Sequence, residues 1–234
     1  MSLHIGAKKE DIASIVLTAR DPLRVKYIAE KYLKEPRLVN NIRMNLGYTG
    51  YYKNTLITVI SSGMGMGSMG IFAHELFSDY DVQKIIRIGS CGSYFEEIGL
   101  NDIVIAEKAY STSNFAFQES GKDINLVKSA PFLNQKIIRE AHNDGIEVRY
   151  GTVCSTDLFY RNYDDPGIRE NYCLVEEMEC FALFYEALKF EREASAVLTV
   201  SDNLKTQERL SALDREQSFD KAILLVLDTV SNNL

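Results

Sequence analysis

The sequence lacks tryptophan, a C-x-x-C pair, a proline-rich or low-complexity linker, and any apolar run long enough to cross a membrane. The missing tryptophan decides nothing, but the other absences exclude a good deal. No histidine sits at metal-ligand spacing beside Cys91, Cys154, Cys173 or Cys180, which argues against a metal site. Free thiols in a reducing compartment fit these four better than disulfides. The opening MSLHIGAKKEDIAS has no apolar core of the signal-peptide kind, and the run Ala222 to Leu227 is far too short for a membrane span. The expectation is a cytoplasmic protein with no membrane partner. Basic residues are not in excess either: the net charge is −7 and the pI is near 5.1. That argues against nucleic acid as a partner, because its phosphates need a basic surface. A small anion is still allowed, since a few local arginines suffice.

What is present is ample material for a core, with 46% hydrophobic and 25% charged residues. With four prolines and no linker, no domain boundary is visible, and residues 1–234 are expected to form a single domain. Short β-branched runs at 14–17, 55–62, 84–90, 102–113, 149–156 and 195–202 read as strands. Helical patterns at 21–33, 68–80, 132–145, 178–190 and 214–230 lie between them. Asp21 is a fitting N-cap, Pro22 a fitting first helical residue and Gly145 a fitting stop. The segment 114–131 has no clear period and reads as loop. Strands alternating with helices predict an α/β fold, with ligands beyond the strand ends.

Several groups at those strand ends could carry chemistry. SSGMGMGSMG (61–70) has four glycines in ten residues but matches neither glycine-rich nucleotide motif, so a tight turn is the simpler reading. Arg87, inside the apolar run of KIIRIGSCGSY, must be paired with a core carboxylate or face an anion, because an unpaired buried charge is costly. Ser90 could join the same anion. Arg24 and Arg43 read by themselves as solvated. Glu177 and Glu179 lie where a helix begins, which the macrodipole favours, though a carboxylate there could also hold sugar hydroxyls. Asp202 ends a buried strand in TVSDN, where an acid could donate a proton or merely cap a turn. His4 reads as a surface residue, Phe159 and Tyr160 as core, and Cys91 as a small buried residue.

Taken jointly and in order, these pieces resemble the bacterial high-molecular-mass purine nucleoside phosphorylases of the nucleoside phosphorylase superfamily. The resemblance rests on HIGA (4–7), DPLRVKYIAEKYL (21–33), VNNIR (39–43), GYTGYYK (47–53), SSGMGMGS (61–68), IIRIGSCGS (85–93), STDLFY (155–160), EMECFALF (177–184), TVSD (199–202) and LDREQSF (213–219). It implies a phosphorylase/hydrolase-like α/β fold, with a central mixed twisted sheet flanked by helices, assembled as a homohexamer. The implied reaction is reversible phosphorolysis of purine (deoxy)ribonucleosides, with inorganic phosphate as co-substrate and neither cofactor nor metal. By the resemblance, Arg24, Arg87, Ser90 and a neighbouring subunit's copy of Arg43 hold phosphate. Met64, Met178 and Glu179 match ribose contacts, and His4 matches a residue lent across the subunit interface. Phe159, Glu177 and Gly92 line the nucleoside pocket. Asp202 matches the acid that protonates the departing purine, assisted by Arg215.

Two departures stand out. The first loop of the family commonly reads P-G-D-P; here TARDP puts Arg20 where the phosphate-approaching glycine is expected. Arg20 could add a cation for phosphate or crowd phosphate out. Asn203 also stands where a histidine commonly follows the acid. A uridine phosphorylase is disfavoured by Asp202 and by the lack of a glutamine-arginine pair after the aromatic. Arg20 also leaves room for a phosphate-independent nucleosidase or a non-catalytic nucleoside-binding relative.

Overall fold

The computed structural model describes residues 2–160, 163, 165–211, 214 and 219–234. Its centre is one ten-stranded mixed sheet. The strands are β1 (Ile15–Ala19), β2 (Lys34–Asn40), β3 (Gly47–Tyr52), β4 (Thr55–Ser61), β5 (Lys84–Ser93), β6 (Ile103–Tyr110), β7 (Leu126–Lys128), β8 (Val148–Ser155), β9 (Val175–Glu177) and β10 (Glu193–Asn203). The helices are α1 (Pro22–Tyr32), α2 (Met66–Ser78), α3 (Phe115–Ser120), α4 (Pro131–Asn143), α5 (Pro166–Glu170), α6 (Cys180–Lys189) and α7 (Asp220–Asn233). The predicted α/β class and central mixed sheet are both found.

β1, β4, β5 and β10 run parallel side by side, and their residues are buried almost without interruption, as strands covered on both faces must be. One apolar cluster packs α2 and α6 on one face of the sheet, and another packs α1, α4 and α7 on the other. The ten-residue β5 is the hub. Its first half pairs with β1, its last two residues with β9, and its other edge with β10 along its whole length. Because β10 also pairs with β6, β6 with β8 and β8 with β9, these five strands close a ring. Among the described residues, no helix is long and apolar enough to cross a membrane.

The helix signals at α1 hold: Asp21 accepts a hydrogen bond from the Leu23 amide at 2.8 Å, and Pro22 opens the helix. Three expectations need correction. The segment 114–131 is not all loop, since it holds the short α3 and β7; β7 is fixed by pairing to β6, a tertiary contact that leaves no period in three residues. β2 and β3, which form a meander with β4, escaped notice because they lack a continuous apolar run, and β2 is largely exposed. Arg24 is not solvated: it is buried, with its guanidinium 4.1 Å from the Phe219 ring centre.

Candidate active site

The C-terminal ends of β5 and β10 open into a cleft of about 660 Å³, counting its space open to solvent. Ser90, Cys91 and Gly92 come from β5, and Glu176, Glu177 and Met178 from the β9–α6 junction. Ser201 and Asp202 come from β10, Leu204 and Arg209 from the turn after it, Thr156, Phe159 and Tyr160 from the segment after β8, and Arg20 from the end of β1. Parallel strands ending together bring these distant residues to one place, as the strand-end rule predicts.

Behind the cleft lies a fully buried charge cluster. Strand alternation turns Arg87 inward, and its side chain has 0% exposure. The Arg87 Nε donates to Glu177 Oε2 at 3.3 Å, and Nη2 donates to Glu179 Oε2. Of the two readings open for Arg87, the carboxylate-paired one is present. Burial alone would favour discharging the guanidinium, but the Glu179 and Glu177 carboxylates outweigh it and push its pKa up. Burial likewise works against the Glu179 carboxylate; Arg87, then Arg20, then the Gly65 amide reverse this and hold it below the usual range. Gly89 leaves room for the arrangement, because a Cβ there would lie 2.8 Å from the Arg87 guanidinium carbon and from Leu198.

Glu177 also caps α6. Its Oε2 accepts from the amides of Glu179 at 2.8 Å and Cys180 at 3.0 Å, and its Oε1 accepts from the Ser155 hydroxyl. The helix-start reading of this acid is therefore met by geometry. The glycine run makes the expected tight turn, with Gly63 at φ 68° and Gly65 at φ 86°. The Gly65 amide then donates to Glu179 Oε1 at 2.9 Å, a tie that no sequence spacing announced.

Asp202 owes its position to a bulge. Val200 pairs with Cys91 and Asp202 with Gly92, so Ser201 is the extra residue. Ser201 donates to Asp202 Oδ2 at 2.8 Å. Asn203, buried beside it, accepts from the amides of Lys205 and Thr206 at 2.9 and 3.0 Å and donates to the carbonyls of Phe95 and Ile98. It thereby fixes the turn that brings Arg209 back, with Arg209 Nε 3.7 Å from Asp202 Oδ1. The departure at Asn203 thus has a structural role of its own.

Residues 14–230 match the family described as "Phosphorylase superfamily". The chain belongs to the phosphorylase superfamily. It is 38% identical to the Oceanobacillus iheyensis protein named "Purine nucleoside phosphorylase DeoD-type", over 98% of this chain and 99% of that one. It is 40% identical to the Mycoplasma genitalium protein of the same name, over 97% and 98%. The solved purine nucleoside phosphorylase of Toxoplasma gondii with immucillin-H superposes with a TM-score of 0.87 at 21% identity, covering 99% of this chain and 97% of that chain. A futalosine hydrolase mutant of Helicobacter pylori strain 26695 gives 0.77 at 19% identity, covering 94% and 99%. At those identities the two structures speak for the fold alone.

Of the site residues expected from sequence, Ser90, Gly92, Phe159, Glu177, Met178 and Asp202 line this one cleft. Glu179 and Arg87 stand behind it. Phe159 and Tyr160 are not core: they are 53% and 88% exposed and meet edge to face at the cleft. Arg24 and Met64 do not line it, and Met64 is 63% exposed. Neither do His4 or the exposed Arg43, whose φ is 53°. His4 is half-buried rather than simply on the surface, with Nδ1 2.7 Å from Glu75 Oε1 on α2. Arg215 lies outside the described residues. Sequence reasoning did not place Arg209, Glu176 or Leu204 in the site; they arrive through the ring of strands and the turn after β10, for which no motif exists, while Thr156 stands in the quoted STDLFY but was not singled out. Among the described residues, no group of three or more His, Cys, Asp or Glu is placed to hold a metal ion.

Proposed function

We propose that this chain catalyses the reversible phosphorolysis of purine (deoxy)ribonucleosides to free base and (deoxy)ribose 1-phosphate. The observation that carries the reading is the pairing of Asp202 with Gly92, two residues beyond Ser90, which separates acid and hydroxyl by roughly 7 Å along the strand. A nucleoside needs such a span between an anion under its sugar and a proton donor beside its base. Its near-full-length relatives named as purine nucleoside phosphorylases support the same reading.

The chemistry follows from where charge develops. As the bond between sugar and base breaks, the sugar becomes positive and the purine negative; a phosphate oxygen bonds to the anomeric carbon while a proton passes from Asp202 to the purine. No cofactor enters the proposed reaction. Ser90, Arg24, Arg87 and a neighbour's Arg43 are proposed for phosphate, and Gly92, Phe159, Glu177, Met178, Glu179, Met64 and a neighbour's His4 for the nucleoside. Asp202 and Arg215 are the proposed catalytic pair. Assembly as a homohexamer is part of the proposal: Arg43 is exposed and both it and His4 lie off their own cleft, as residues lent to another subunit must. A single domain spanning 1–234 is supported by the one sheet that runs from β1 to β10. A cytoplasmic setting suits Cys91, Cys154, Cys173 and Cys180, which are buried thiols.

The test is release of hypoxanthine from inosine, and of adenine from adenosine, with and without phosphate. Release that requires phosphate supports the proposal. Release without phosphate would make the protein a nucleosidase, and nucleoside binding without release would make it a binding relative.

A further inference from the structure

Arg20 follows β1 immediately, keeps a negative φ, and lines the cleft. Its Nη2 donates to Ser90 Oγ at 2.6 Å. Among the described residues no carboxylate lies within ion-pair distance of it, although it is only partly exposed. The other arginines near the cleft have different surroundings. Arg87 is matched by two carboxylates and has no exposed surface, Arg24 lies over Phe219, and Arg209 reaches Asp202. The Arg20 charge helps hold the Glu179 carboxyl below its usual range, but the direct bonds of Glu179 go to Arg87 and the Gly65 amide. A partly desolvated guanidinium bonded directly to a neutral hydroxyl has further N–H groups to offer an anion.

We infer that Arg20, oriented by Ser90, is a phosphate-binding cation of this cleft beside those already proposed, an inference that rests on the phosphorolysis reading. The hydrogen bond between them sets the direction of both groups. Ser90 accepts from Arg20, so its own proton is available to one phosphate oxygen while the remaining Arg20 N–H groups reach others. A side-chain charge thereby does what the backbone amide of a glycine would otherwise do. The contact becomes charge-assisted and sensitive to salt.

The experiment is calorimetric titration of the full chain with inorganic phosphate, for the native protein, Arg20→Gln and Arg20→Lys, with circular dichroism to verify folding. Arg20→Gln is expected to weaken phosphate about 10- to 100-fold, the range for losing a hydrogen bond to a charged group. Arg20→Lys should recover part of that, and added KCl should weaken phosphate more in the native protein than in Arg20→Gln. Equal or tighter phosphate binding by folded Arg20→Gln would overturn the inference, as would a native protein that takes up no phosphate. Native protein that binds phosphate through Arg20 yet never cleaves inosine or adenosine would uphold Arg20 and remove the phosphorolysis reading instead.

Discussion

Replacing Glu177 by glutamine changes one oxygen to an amide and removes one charge, with no change in size. Each oxygen of Glu177 now accepts hydrogen bonds: Oε2 from Arg87 at 3.3 Å and from the amides of Glu179 and Cys180, Oε1 from Cys180 at 3.0 Å and from Ser155. The least costly fit turns the new NH2 toward Ser155, whose hydroxyl can rotate to accept, and keeps the remaining oxygen on the helix cap. The charge cannot be recovered. Arg87, fully buried, then keeps only Glu179 against it. Removing one partner of a buried ion pair costs about 3–5 kcal/mol, and the surviving Glu179 favours about 3. For a chain of this length each kcal/mol lowers Tm by about 2–4 °C, so Glu177→Gln should melt roughly 6–12 °C lower. Circular dichroism melts at pH 7, at one fixed protein concentration, are the assay. Glu176→Gln is the control: the Glu176 carboxylate accepts from the Tyr94 hydroxyl at 2.7 Å and is half-exposed, so the melt of that variant should barely move. A Glu177→Gln melt matching that of Glu176→Gln would refute the claim that the Arg87 charge depends on both glutamates.

Three further outcomes are expected. Asp202→Asn keeps the side chain's shape and should lower kcat by about 10²- to 10⁴-fold with nucleoside affinity and Tm intact; a kcat within a few-fold of native would remove Asp202 as the acid. Gly89→Ala drives a methyl into Arg87 and Leu198, and should cost about 1–3 kcal/mol in denaturant unfolding. Partial burial pushes the Glu75 carboxyl up, but hydrogen bonds from His4 and Ser2 prevail and hold it below its usual range. A carboxyl lowered by folding stabilises above its unfolded pKa, and that stabilisation is lost as pH falls through the folded value. The N-terminal arm should therefore stay docked on α2 at neutral pH and loosen only as pH falls below the ordinary carboxylate range, read as faster amide exchange at Leu3 and His4 after correction for intrinsic rates. Glu75→Gln should abolish that transition, and its persistence there would assign it to another group.

Much of the frame was open to reading in the chain alone. The continuous apolar runs at 55–62, 84–90 and 195–202 are buried strands in the sheet because only strands covered on both faces can be apolar at every position. Asp21 and Pro22 start α1 through bonds made within a few residues, which sequence carries directly. What failed was less local. β2, β3 and β7 are strands by virtue of their neighbours, and Phe159 and Tyr160 are apolar yet open to a cleft, so hydrophobicity assigned them wrongly to the core.

The sequence by itself determined that Arg87 needs a counter-charge, since burial of a cation costs the same in any fold. It pointed too to the ends of these strands, where the cleft lies. Only the tertiary structure decided that the counter-charge is Glu177 with Glu179, about ninety positions along the chain, and that Arg20 meets Ser90 rather than a carboxylate. Ion pairs and hydrogen bonds depend on distances of a few ångströms, and those distances are set by the register of β1, β5 and β10, which no stretch of chain specifies alone.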